Sequence, residues 1–261
     1  KQNVLEAIVN MMDDKEEIKS MPEVTQQCVT ALAIVAHDPA SHPTIVKRGC
    51  IETLVGLGNF STDTETKQIC AVVLSVLSFG EESLQKLIDC DGLPAVIRLS
   101  QEKSTLTRQH CADSLCNISA TDAGLEKMLK EEVKIVEVLA KLSNTYSEEA
   151  QQDCAKCLCN LTSVESAVLK LQKQGAIQAI MMIAMVRAVD PLTNQYCAKS
   201  MLNLLNEESM EEILDEGILQ TIGQFCLEDD ETMLSTCARV LCVCSTTKSG
   251  RGHIVHRRKT L

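Results

Sequence analysis

The sequence predicts an all-α protein assembled from copies of one helical unit, and three observations carry that prediction. Apolar residues make up 45% of the 261 positions, yet there are three Phe, two Tyr and no Trp. With 11 Gly and 5 Pro, the chain also lacks the turn residues that an all-β fold of this size needs. Leu, Ala, Glu, Lys and Met, all good helix formers, fill the rest. Finally, six cysteines recur at near-constant spacing: Cys28, Cys70, Cys111, Cys154, Cys197 and Cys237 are separated by 42, 41, 43, 43 and 40 residues. A fixed period in this range marks a repeat architecture.

Each recurrent cysteine opens the same phrase. A small residue follows it, Val29 once and then Ala71, Ala112, Ala155, Ala198 and Ala238. Four positions on stand Leu32, Leu74, Leu115, Leu158, Met201 and Leu241. Seven positions on stand Val35, Leu77, Ile118, Leu161, Leu204 and Cys244. Offsets of 0, 4 and 7 fall on one side of an α-helix, so this stripe is expected in the core.

A second phrase lies between these helices: "KRGCIETLVGL" from 47, "CDGLPAVIRL" from 90, "KQGAIQAIMMI" from 173 and "DEGILQTIGQF" from 215. A short helix is expected to stop at Gly49, Gly92, Gly175 or Gly217, where positive φ is cheap, and an amphipathic helix to follow at once. Pro94 falls in a first turn, where its missing N–H costs little. In "KEEVKIVEVLAKL", from 130, Val133 stands where glycine is expected, so this corner should be wider or more strained.

Three helices per unit of about 42 residues, with glycine between the first two, resembles the armadillo repeat. "CADSLCNIS" (111–119) and "CAKCLCNLT" (154–162) are similar to that family's Ala-x-x-x-Leu-x-Asn-Leu third-helix signature, with Cys in place of the first Ala. The resemblance implies a right-handed α-solenoid of about six armadillo repeats forming a single domain over 1–261. Its units are phased as an incomplete first repeat at 3–37, repeats at 41–79, 81–119, 122–162, 164–206 and 207–245, and a basic tail at 246–261.

The cluster Cys154, Cys157 and Cys159 invites a metal reading. On a regular helix Leu158 and Leu161 lie within about 40° of Cys154, whereas Cys157 is about 60° away on the core edge and Cys159 about 140° away. The three sulfurs diverge, and zinc wants four ligands close together. Most of the fourteen cysteines sit in apolar helical runs, which reads as reduced thiols of a cytoplasmic or nuclear protein rather than a disulfide framework. His37, His42 and His110 are scattered, and His253 and His256 lie in the tail without an expected acid beside them. No phosphate loop, nucleophile elbow or zinc-protease helix is present. No catalytic residue, metal or cofactor is therefore expected.

The formal charge of −11 repels a phosphate backbone, so nucleic acid is disfavoured as a partner. After Glu231 the chain has no acid, and Lys248, Arg251, Arg257, Arg258 and Lys259 follow. The longest nearly apolar run, 177–189, is broken by Gln178 and Arg187 and is too short to span a bilayer. The chain starts with Lys1 instead of an initiator Met, so membrane attachment is expected only through a lipid anchor upstream or through the basic tail.

The armadillo resemblance also implies where a partner would lie. In that family the positions two and six after the recurrent cysteine line a concave groove, where asparagine holds the backbone of an extended peptide. Here these pairs are Thr30/Ile34, Val72/Val76, Asp113/Asn117, Lys156/Asn160, Lys199/Asn203 and Arg239/Val243. The expected site residues are Asn117, Asn160 and Asn203 for the backbone, Lys156, Lys199 and Arg239 for acidic groups, Val72 and Val76 for apolar ones, and Asp113 beside them. A row of merely solvated charges is the alternative reading of the same helix face. The expected function is a non-enzymatic scaffold whose protein partner offers an extended segment with acidic and apolar residues. The alternative is a structural or lipid-anchored adaptor in a larger assembly, such as an organelle tether or a ciliary or cytoskeletal component. A nuclear-import adaptor is disfavoured, because that subfamily sandwiches lysine stems between tryptophans and this chain has none.

Overall fold

The computed structural model describes residues 5, 7–8, 11, 22–130, 132–145, 147–185, 190–206 and 208–256, with the His256 side chain left out. The helix expected from Asn3 is therefore described only at Leu5, Ala7, Ile8 and Met11. Arg187, Arg257, Arg258 and Lys259 lie outside the described residues. Among the described residues there are helices and no strands, and none of these helices is long and apolar enough to cross a membrane. The chain divides into two compact units, Lys1–Lys130 and Glu131–Leu261.

The first unit contains α1 (Pro22–Ala36), α2 (His42–Lys47), α3 (Cys50–Phe60), α4 (Thr64–Ser78), α5 (Glu81–Asp89), α6 (Gly92–Leu99), α7 (Thr105–Ser119) and α8 (Asp122–Met128). A 3₁₀ turn, Pro39–Ser41, leads into α2. Like elements stack on like: α1 on α4 and α4 on α7, α3 on α6, and α2 on α5. The second unit contains α9 (Ile135–Ser143), α10 (Glu148–Thr162), α11 (Val168–Lys173), α12 (Ala176–Ala184), α13 (Pro191–Leu204), α14 (Met210–Asp215), α15 (Ile218–Phe225), α16 (Glu231–Thr246) and α17 (Lys248–His256). Here α10, α13 and α16 stack in turn, as do α9, α12 and α15.

The long helices α1, α4, α7, α10, α13 and α16 carry the recurrent cysteine, and every one of these six cysteines is buried. Leu32, Leu74, Leu115, Leu158 and Met201 are fully enclosed, as are Leu77, Ile118, Leu161, Leu204 and Cys244. Each such side chain contributes about 1.5–3 kcal/mol by leaving water. Two ends of the stripe depart from expectation. Val35 is only half-buried, and in α16 Ala238 is exposed and Leu241 is 36% exposed. On α16 Met233 and Val240 are buried along with the stripe residues Cys237 and Cys244.

Capping explains where these helices start. Asp63, Ser104, Ser147, Asp190 and Asp230 each accept a backbone N–H of the first turn, at distances from 2.6 Å (Asp230) to 3.3 Å (Ser104). Such a bond satisfies one of the donors that a helix N-terminus leaves without a partner. At the other ends, side chains of the next short helix close the last carbonyls: Ser83 Oγ donates to Leu77 O, Thr121 Oγ1 to Ile118 O and Ser209 Oγ to Leu204 O.

The corners after the short helices follow the glycine logic at three places. Gly49, Gly175 and Gly217 have φ of 75°, 85° and 95°. The fourth differs from expectation. In "CDGLPAVIRL" the left-handed residue is Asp91, with φ of 59°, and Gly92 is already the first residue of α6. Gly92 is needed for space, because a Cβ there would lie 2.5 Å from the Leu87 carbonyl oxygen and 2.2 Å from Leu87 Cδ1. Asp91 can hold positive φ because a short polar side chain tolerates that region. Where Val133 replaces glycine, residues 129–134 separate α8 from α9, against only Arg48 and Gly49 between α2 and α3. The boundary between the two compact units falls within that longer corner.

Gly92→Ala is expected to destabilise the protein by about 3 kcal/mol in urea unfolding, from overpacking against backbone. Gly49→Ala, with nothing within 4 Å of the added carbon, should cost only about 1 kcal/mol of left-handed strain. Asp63→Ala should cost about 1 kcal/mol at neutral pH. The hydroxyl of Thr66, and then its N–H, hold the Asp63 carboxyl below its ordinary value of 3.8. The folded state therefore favours the ionised form, and the Asp63 contribution is present above 3.8 and is lost as pH falls through the lower folded value. Unfolding curves of the wild type and Asp63→Ala should converge over that acid window.

Candidate functional site: the third-helix face

The side of each long helix away from its stripe is open. Thr30, Val72, Val76, Asp113, Asn117, Lys156, Asn160, Lys199, Asn203 and Val243 are all half-buried, whereas Arg239 is exposed and Ile34 is 71% exposed. Within the first unit this face brings Ile34, Val72 and Val76 onto stacked helices, followed by Asp113 and Asn117 on α7. Within the second unit α10, α13 and α16 carry Lys156 and Asn160, Lys199 and Asn203, and Arg239 and Val243.

Asn117 and Asn203 are committed through their donors. Asn117 Nδ2 donates to Ser78 Oγ at 2.8 Å, and that hydroxyl donates to Ser75 O at 2.7 Å. Asn203 Nδ2 donates to Thr162 Oγ1 at 3.3 Å, and Thr162 Oγ1 donates to Cys159 O at 3.2 Å. In both cases the hydroxyl sits eight positions after the recurrent cysteine of the preceding repeat. An amide has a carbonyl oxygen as well as an NH₂ group. With the NH₂ turned to the neighbouring helix, the oxygen of Asn117 and Asn203 is the group left to meet a donor.

Asp113 belongs to a small network that sequence reading missed. Ser75 Oγ donates to Asp113 Oδ2 at 3.1 Å, and His110 Nδ1 lies 3.4 Å from the same oxygen and 3.3 Å from Ser75 Oγ. Serine, histidine and aspartate thus meet, but not as a hydrolytic triad. A triad uses the two imidazole nitrogens separately, one toward the hydroxyl and one toward the carboxylate. Here Nδ1 faces both, and Ser75 is buried. His253 also has an acid near it, contrary to expectation, since its Nε2 lies 3.9 Å from Asp215 Oδ1.

A second polar row runs along the edge of the face. Ser104 Oγ donates to Gln68 Oε1 at 3.2 Å, and Gln152 Nε2 donates to Asp190 Oδ2 at 2.9 Å. In each pair a glutamine two positions before the recurrent cysteine meets the N-cap of the next long helix. The signal was in the sequence: Gln26, Gln68, Gln109, Gln152 and Gln195 all occupy that offset.

The cysteines that crowd Cys154-Ala-Lys-Cys157-Leu-Cys159 separate as helix geometry requires. Cys154 and Cys157 are fully buried, while Cys159 is half-buried at the edge of the face. Burial raises the Cys159 pKa, opposed by the Lys199 ammonium and the Ser200 hydroxyl on α13. Burial also pushes Cys70 and Cys197 to about 12. Among the described residues no three His, Cys, Asp or Glu side chains gather as a metal site.

Solved structures resemble the chain over most of its length. An engineered protein from a structural genomics consortium is 21% identical with a TM-score of 0.72, covering 93% of this chain and 99% of its own. A designed armadillo repeat protein in complex with the peptide (KR)4 is 17% identical with a TM-score of 0.72, over 92% of this chain and 98% of that one. Computationally designed armadillo repeat proteins for modular peptide recognition are 17% identical with a TM-score of 0.75, over 92% and 99%. No family model matches the sequence, and no curated protein matches it. At these identities the likeness speaks to fold, and together with the three-helix repeat it shows that the chain is an all-α solenoid with an armadillo-like repeat fold.

Proposed function

We propose that the chain is a non-catalytic scaffold that binds an extended segment of another protein along the face of its long helices. The observation that carries this reading is the arrangement of Asn117 and Asn203. Their NH₂ groups are tied to the preceding repeat, and in this reading their carbonyl oxygens accept from the backbone N–H groups of a partner. Asn160 occupies the same offset on α10. Fixing the acceptors beforehand lowers the ordering cost of binding.

Charge sets the kind of partner. The designed neighbour is held with a (KR)4 peptide, whereas the second unit of this chain carries Lys156, Lys199 and Arg239 on the corresponding face. That row suits Asp and Glu side chains. The first unit, with Ile34, Val72 and Val76, suits apolar ones, and Asp113 is held by Ser75 and His110. A second reading, packing into a larger assembly, is favoured by α16, where Leu234 is 41% and Leu241 36% exposed.

Selection of random peptides against the full chain should return extended sequences rich in acidic residues. Asn160→Ala with Asn203→Ala should weaken their binding about tenfold or more, by fluorescence anisotropy, for the loss of roughly two hydrogen bonds. Unchanged affinity would remove the asparagines from the site. Lys156→Glu with Lys199→Glu should weaken acidic peptides further. Raising the salt concentration should weaken the wild type and leave that variant nearly unaffected, because exposed charges are screened. Leu241→Asp, which leaves the peptide face intact, should change only an assembly made through α16.

A further inference from the structure

Beside the core stripe, each long helix has two flanks, and burial tells them apart. One flank carries the residues four before and three after the recurrent cysteine, about 40–60° to one side of it on a helical wheel. The other carries the residues one and four after it, about 40–100° to the opposite side. On α4 the first flank is Thr66 and Val73 and the second Ala71 and Leu74; on α13 they are Thr193 and Ser200, and Ala198 and Met201. All of these are buried, and α4 lies between α1 and α7 as α13 lies between α10 and α16.

Two long helices keep one flank buried and expose the other. On α1, which packs on α4, Val29 and Leu32 of the second flank are fully buried, whereas Val24 of the first is 43% exposed and Ala31 is half-buried. On α16, which packs on α13, the reverse holds. Met233 and Val240 of its first flank are fully buried, whereas Ala238 and Leu241 of the second are exposed. The first flank is therefore the one that meets a preceding long helix, and the second the one that meets a following helix. Hydrogen bonds agree: Ser75 and Ser78, on the second side of α4, meet Asp113 and Asn117 of the following α7.

The short helix after α16 also follows the pattern of a repeat start. Thr121 Oγ1 donates to Ile118 O and accepts from Gly124 N, and a Cβ on Gly124 would run into Ile118 O. Thr247 makes the same two bonds with Cys244 O and Gly250 N, and a Cβ on Gly250 would run into Cys244 O. α17 thus holds the place of a first helix beside α16, as α8 does beside α7.

We propose that the open flank of α16 receives α1 of a second copy of this chain, so that copies stack head to tail. The proposal names the occupant for the assembly reading of α16 given above and rests on that reading. A second copy fits because α1 exposes the flank that a helix following α16 buries. The two surfaces also match in character: Val24, Ala31 and Ile34 on α1, and Leu234, Ala238 and Leu241 on α16, are all apolar. A helix that ends a stack in water carries a polar outer face instead. Ala31 and Ala238 are small, which lets two helices approach closely. Ile34 stands at the offset where α7 and α13 carry Asn117 and Asn203. The junction therefore takes exposed apolar side chains out of water and lacks the amide bond to a hydroxyl, which makes it a reversible contact. Because it joins two different surfaces, it builds rings or open chains and not a two-fold pair.

Sedimentation equilibrium of the full chain, from micromolar to millimolar concentration, should show the mean mass rising from the 28.6 kDa of one chain past twice that value. Val24→Asp and Leu241→Asp, both at exposed positions and checked by circular dichroism, should each stay monomeric. Mixed one to one, they should form a pair and nothing larger, since each keeps the surface that the other has lost. Ala238→Glu gives the α16 arm a second exposed substitution with the same expected result. A wild type that stays monomeric over the whole range overturns the proposal, and so does a Val24→Asp chain that still pairs with itself, which sets α16 against α16. A monomeric wild type that binds a different protein, lost in Leu241→Asp and kept in Val24→Asp, overturns the second copy while the assembly reading stands.

Discussion

Side-by-side packing of the long helices is possible because the residue after each recurrent cysteine is small. Ala71, Ala112, Ala155 and Ala198 are buried, and small side chains at this position let stacked helices approach closely. Close approach brings the Leu, Ile and Met stripe into contact and excludes water from it, the main source of stability in such a stack. It also sets the spacing between successive helix faces. Asn117 reaches Ser78, and Asn203 reaches Thr162, only because the helices lie this near. The candidate binding face is thus a by-product of the core.

Sequence periodicity revealed the core almost completely, since 0, 4 and 7 offsets report burial directly. It failed where burial depends on a neighbour rather than on the helix itself. Leu241 sits on the stripe by count but is exposed on α16, whose buried side turns toward Val240. Glycine was read for one property and is used for two. At Gly49, Gly175 and Gly217 it supplies positive φ, whereas Gly92 supplies space and Asp91 takes the left-handed angle. No pattern in "CDGL" distinguishes these roles, because either residue tolerates the conformation.

The polar links between repeats were legible and went unread. Glutamine two positions before the cysteine occurs in five repeats, and a hydroxyl eight positions after it in several, but neither offset lies on the apolar stripe. Hydrogen bonds between repeats need two offsets read together, one from each repeat, and a search for a single helical face does not pair them. His110 with Asp113 was hidden for the same reason: the third member of its group, Ser75, is on a different helix.

Cysteine chemistry in this protein follows from position and not from number. A core thiol whose pKa is pushed to about 12, as at Cys70 and Cys197, is a small apolar side chain for practical purposes. The helix sends the three cysteines within six residues on α10 in different directions, Cys154 and Cys157 into the core and Cys159 to its edge. Sequence proximity singled out 154–159, but neighbours along a helix are not neighbours in space.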